Sequence, residues 1–172
     1  MKMIFGWMLI SVSLVAAGCG QSETASTAGK AAAVDSQYAA TSEPDGAMPV
    51  GEARESIEDG QDVTLVGVIG GSTDPFVDGL AAFTVVDPKV PYCAADEGCP
   101  TPWDYCCTQE QVKDNVATVM IVDDSGNPVA QDARNILNIK ELSTVVVTGK
   151  AKRDEEGNLT VAANNVFVRT EQ

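Results

Sequence analysis

The sequence predicts an all-β fold: a small closed barrel of five strands with one helix between the third and fourth. Three observations predict it. Runs of β-branched and apolar residues alternating with polar ones recur five times after position 60, the period-2 pattern of half-buried strands. Between the third and fourth runs, DARNILNIKELS (132–143) switches to helical spacing, with Ile136, Leu137 and Ile139 near Leu142 and Asp132 as N-cap. Five strands with one helix also weigh against a sandwich, which needs about seven strands, and against a simple up-and-down barrel.

Taken in order, VGEARESIEDGQ (50–61) places Val50, Ala53 and Ile57 at near-helical spacing with Gly60 at its stop, so a short helix precedes the barrel. DVTLVGVIGG is the first strand, with Val63, Leu65 and Ile69 on one face; LAAFTVVD is the second, with Phe83 and Val85. A long insertion, residues 88–114, holds four of the five cysteines. VATVMIVDD is the third strand and DDSGNP a turn by composition. After the helix, STVVVTGKAKRDEEGNLTVAANNVFVRT reads as a hairpin closed at Gly157-Asn158. Residues 50–172 thus form one domain.

The phrases DVTLVGVIGG and KELSTVVVTGKAKRDEEGNLTVAANNVFV carry a resemblance over residues 50–169 to the OB-fold, a five-stranded Greek-key barrel. They look like the small exported OB-fold proteins of bacteria and like lipoproteins of that type in planctomycete-like genomes. The resemblance implies topology and no catalytic signature, and the cysteine insertion departs from the simple exported pattern.

Residues 1–18, MKMIFGWMLISVSLVAAG, hold one charge, Lys2, before an apolar run. That is a secretory signal, too short to be kept as a membrane span. Its end, Val15-Ala16-Ala17-Gly18-Cys19, resembles a bacterial lipobox, with Ala16 where Leu is usual. The resemblance implies cleavage before a lipidated Cys19. Gly20 follows the cysteine in place of the Asp that retains enteric lipoproteins at the inner membrane, so an outer-membrane anchor facing the periplasm is expected. Residues 19–49, rich in Ala, Ser, Thr and Gly, read as a flexible tether with a span of about 30 Å.

Composition narrows function. A formal net charge of −14 repels nucleic acid and anionic headgroups. The strands offer only Phe83 and Phe167 as stacking platforms, and the basic cluster Lys150, Lys152, Arg153 runs straight into Asp154-Glu155-Glu156. No nucleic-acid partner is expected. The chain has no His, the commonest general base and metal ligand. It also lacks a P-loop or a GxSxG, and Asp123-Asp124 and Asp154-Glu155-Glu156 read as solvated turn residues.

The segment YCAADEGCPTPWDYCC (92–107) carries the remaining chemistry. In an oxidising compartment Cys93, Cys99, Cys106 and Cys107 are expected to form two disulfides. An adjacent 106–107 bridge is disfavoured by ring strain, and the other two connectivities stay open. A loop of about fifteen residues closed this way gains about 3 kcal/mol in the chain-entropy picture. The alternative is a four-thiolate metal site, zinc ahead of iron or copper, although the spacing lacks C-x2-C knuckles. Redox catalysis is opposed by Asp96, Glu97, Asp104 and Glu110, with no Lys or Arg between Lys89 and Lys113. Tyr92, Trp103 and Tyr105 are candidate partner-binding anchors on the stapled loop, unless Trp103 folds back to plug an open barrel end. The sequence therefore predicts a lipid-anchored, non-enzymatic binding or scaffolding module of the cell envelope, needing no cofactor and contacting an envelope protein or ligand. A metal-binding or thiol-redox protein is the alternative.

Overall fold

The structure is a computed structural model that describes residues 36–170. The expected signal sequence, Cys19 and the expected tether up to position 35 lie outside the described residues. The elements are β1 (Met48–Pro49), α1 (Val50–Ser56), β2 (Asp62–Ile69), β3 (Ala82–Val86), α2 (Gln109–Val112), β4 (Val116–Ile121), α3 (Ala133–Leu137), β5 (Thr144–Arg153) and β6 (Leu159–Val168).

β2 through β6 close on themselves. The neighbour order is β2-β3-β4-β6-β5, and β5 returns to pair antiparallel with β2 from Asp62↔Lys150 to Val68↔Thr144. Within the barrel β4 and β6 pair in parallel, from Thr118↔Thr160 to Ile121↔Ala163, and the other ladders are antiparallel. Five strands in this Greek-key order, with a helix between the third and fourth, have the OB-fold arrangement. Closure leaves no open edge between the barrel strands.

The period-2 patterns dictate the interior. Val63, Leu65 and Ile69 of β2, Phe83 and Val85 of β3, Val119 and Ile121 of β4, Val145 and Val147 of β5, and Val161 of β6 all meet in one buried cluster. α1 adds Val50 and Ala53, both fully buried. Its C-terminal carbonyls are gathered by Arg153: Nε donates to Ile57 O at 3.0 Å and Nη2 to Ala53 O at 3.2 Å. At the other end of α1, the buried Asp87 carboxylate accepts from Gly51 N at 2.7 Å and Lys89 N at 2.9 Å.

Three expectations are corrected here. The helix expected over 132–143 is α3, five residues long. Asp132 does cap it, accepting from Arg134 N at 2.8 Å, but Asn138 turns left-handed at φ 52 and ends it. Ile139 still reaches the core, so apolar spacing in the loop mimicked a longer helix. Second, the last stretch of the expected tether belongs to the folded body. Val166 N donates to Tyr38 O at 2.7 Å, Ala40 N to Val166 O at 2.8 Å, and β1 pairs in parallel with β2. Third, the domain therefore begins before residue 50. The carboxylate-rich turns do stand as read: Asp123 Oδ1 accepts from Ser125 N and Asn127 N, and Asp154 accepts from Asn158.

Candidate metal centre on the cysteine loop

The long connection between β3 and β4 is seated on the barrel by its backbone and aromatics. Gly71 N, just past β2, donates to Trp103 O at 2.8 Å, and Trp103 Nε1 donates to Thr73 O at 3.0 Å. Trp103 is thus half-buried against the β2–β3 connection. Thr108 Oγ1 ties the far side of the loop to Pro91 O at 2.9 Å.

Tyr105 is the pivot. A 3-10 turn, Pro102–Asp104, ends at Tyr105 in the left-handed region with φ 57. Its ring is fully buried in a second small core with Val86, Val90 and Val112. Partner binding through Tyr105 is therefore corrected: no part of it reaches solvent, because its ring is the loop's own core. Tyr92 lies edge-on to it at 6.5 Å and is 51% exposed, the one of the three aromatics left open to a partner.

Burying Tyr105 throws the next two residues outward, where Cys106 N donates to Asp104 Oδ1 at 2.8 Å. On the facing strand of the loop, Cys93 N donates to Pro102 O at 3.3 Å, and Gly98 at φ 70 ends the turn that precedes Cys99. The outcome is a cluster of four sulfurs, all within 4.8 Å of one another. Sγ–Sγ separations are 3.3 Å for Cys93–Cys106, 3.4 Å for Cys93–Cys107 and 3.1 Å for Cys99–Cys106. Cys99–Cys107 is 3.9 Å and Cys106–Cys107 3.8 Å.

No expected disulfide stands at bonding distance. A bonded pair stands about 2.05 Å apart, and none of these pairs does. Four sulfurs about 2.3 Å from one tetrahedral ion would be separated by about 3.8 Å. Cys99–Cys107 and Cys106–Cys107 stand at that spacing, whereas Cys93–Cys106, Cys93–Cys107 and Cys99–Cys106, at 3.1 to 3.4 Å, are closer than a tetrahedron allows. The adjacent pair Cys106–Cys107, expected to reach one ion only awkwardly, points both sulfurs to the same side.

The electrostatics of the cluster are lopsided. The backbone N–H of Cys107 holds the Cys93 thiol below the ordinary cysteine range. Cys106, then Cys93, push Cys99 above it, and Cys93 and Cys106 push Cys107 up to about 11. The Thr101 hydroxyl, then the Cys106 N–H, hold Asp104 below the usual carboxylate range. The first charge formed among converging sulfurs opposes the next, and protonation of the remaining thiols, a cation or S–S bonding each relieves that repulsion.

Fold and site together define a small closed β-barrel carrying a surface four-cysteine cluster. No protein-family model matches the chain, and no curated protein matches it. Among solved structures it is similar to the hypothetical protein ygiW from E. coli, with 16% identity and a TM-score of 0.40 over 76% of this chain and 98% of that one.

Proposed function

We propose that the chain is a non-enzymatic metal-binding module of the cell envelope, holding a thiophilic cation of the zinc class through Cys93, Cys99, Cys106 and Cys107. The observation that carries this reading is the convergence of all four sulfurs within 4.8 Å at spacings wider than S–S bonds. Soft thiolates select zinc and other thiophilic ions over magnesium or calcium. Cys19 supplies a lipid anchor that holds the barrel on the extracytoplasmic face, at the outer membrane. An envelope protein or ligand meets the module through the barrel face and the rim at Tyr92. In an oxidising space, a bound ion also keeps the four sulfurs from pairing.

The test is intact mass of the chain in native and denaturing spray, before and after reduction. A metal adduct lost on denaturation, with four alkylatable thiols, is the expected result. A gain of four protons on reduction with no adduct would instead establish two structural bridges. For the anchor, Cys19→Ala is expected to release the chain from the membrane fraction.

A further inference from the structure

On the reading of the cluster as a metal centre, the structure also points to what that centre does. We infer that it is an exchange site: a zinc-class cation enters and leaves across the exposed Cys106–Cys107 edge, passing to and from an external thiolate acceptor, while the barrel stays folded without it.

Two independent features lead there. The first is that the loop is positioned by contacts in which no sulfur takes part. Gly71 N to Trp103 O, Trp103 Nε1 to Thr73 O and Thr108 Oγ1 to Pro91 O fix its backbone, and the buried Tyr105 ring fixes its centre. Structural zinc sites of small domains differ in that the ion supplies the folding energy. Here the barrel has its own closed ladders and core, and the loop its own anchor.

The second feature is a gradient of exposure across the four ligands. Cys93 is 2% exposed, Cys99 is half-buried, and Cys106 and Cys107 are both exposed. A centre built to retain its ion closes on all sides, whereas this one keeps two neighbouring ligands on a single solvent edge. An incoming acceptor thiolate can approach from that side and displace Cys107, then Cys106. The acceptor thiol gives its proton to water as it becomes the attacking thiolate, each M–S bond to the acceptor forms as one to the protein breaks, and the released cysteine takes a proton back from water. The ion keeps its charge and no electrons move. Asp96 and Glu97 lie in the same loop, with no Lys or Arg between Lys89 and Lys113, which raises the local concentration of cations.

The experiment uses the full chain in detergent, loaded with Zn2+ or Cd2+ and mixed rapidly with a chromophoric thiol-bearing chelator. The release rate is expected to rise in proportion to chelator concentration, doubling when the chelator doubles, as direct attack on an open edge requires. Cys107→Ser, a change at an exposed side chain, should speed release further. The metal-free chain should keep the circular dichroism of the loaded one and a cooperative thermal transition. Release at a rate independent of chelator, or a metal-free chain without cooperative unfolding, would overturn the exchange proposal while leaving the metal centre standing. Absence of any bound ion in native spray would remove the centre itself.

Discussion

At the residue scale, Tyr105 combines two costs. A non-glycine residue at φ 57 loses roughly 1–2 kcal/mol to the clash of its Cβ with the following carbonyl. Its hydroxyl is buried with no hydrogen-bond partner among the described residues. The buried ring offsets both, so Tyr105→Ala is expected to lose about 3–5 kcal/mol. Tyr105→Phe removes only the unpartnered hydroxyl and should hold or raise the melting temperature. A clear drop in melting temperature for Tyr105→Phe would show that the hydroxyl has a partner after all. Burial, with Tyr92 adding to it, pushes the Tyr105 phenol up to about 12. A raised folded-state value keeps its contribution intact below the unfolded value near 10 and loses it as pH climbs toward about 12. Stability should therefore decline across that alkaline window, less so in Tyr105→Phe, as read by chemical unfolding at stepped pH. The sequence marked this tyrosine as a partner anchor because an aromatic in a Pro-rich loop with few apolar neighbours has no visible core. Val86, Val90 and Val112, the residues that bury it, come from both ends of the insertion, and nothing in local spacing announces that they meet.

At the element scale, the junction between the end of β2 and the cysteine loop decides whether the sulfurs converge. A Cβ on Gly70 would stand 2.5 Å from the Trp103 carbonyl oxygen and 2.9 Å from the Tyr105 ring. One obstacle is backbone and the other a locked core side chain, so the loop must lift. Gly70→Ala is expected to weaken metal retention by the cysteine loop while the barrel still unfolds cooperatively, measured by native mass and thermal circular dichroism. Unchanged retention would mean that the β2 junction does not set the cluster. The barrel strands were legible because alternation is a local signal, and β2 to β6 each carry it. The convergence of the cysteines was not. Zinc knuckles announce themselves through C-x2-C, where one turn presents both thiolates. In this chain a left-handed tyrosine, a 3-10 turn and an adjacent cysteine pair bring gaps of unequal length to one point. The same limit explains α3: Asp132 was readable as a cap, but the left-handed Asn138 that stops the helix was not.

At the scale of the whole molecule, the barrel is held along one side by the segment ahead of α1. Tyr38, Ala39 and Met48 pack against the main core, and the backbone exchanges bonds between Tyr38, Ala40 and Val166. Glu43 adds an ion pair to Arg169 at 2.6 Å, and that guanidinium holds the Glu43 carboxyl below its usual range. Composition pointed to a tether because small polar residues dominate the stretch and Tyr38 is its one aromatic. The backbone bonds that recruit it come from β6, more than a hundred residues away, and leave no trace in local pattern. A chain begun at Val50 should accordingly be less stable than one begun at Ser36. Two backbone bonds at about 1 kcal/mol each and partial burial of Tyr38 and Met48, on the order of 1 kcal/mol each, sum to roughly 3–4 kcal/mol. For a domain of this size that lowers the melting temperature by roughly 10 °C. Acid provides a second handle on the same contact. Because the Glu43 value is depressed in the fold, its contribution is present above the ordinary carboxylate value and lost as pH falls through the folded one. Glu43→Gln should abolish that increment of acid sensitivity in the chain begun at Ser36 and change nothing in the chain begun at Val50, which has no Glu43 to replace. Equal melting temperatures for the two chains at neutral pH would show that residues 36–49 ride on the barrel without stabilising it.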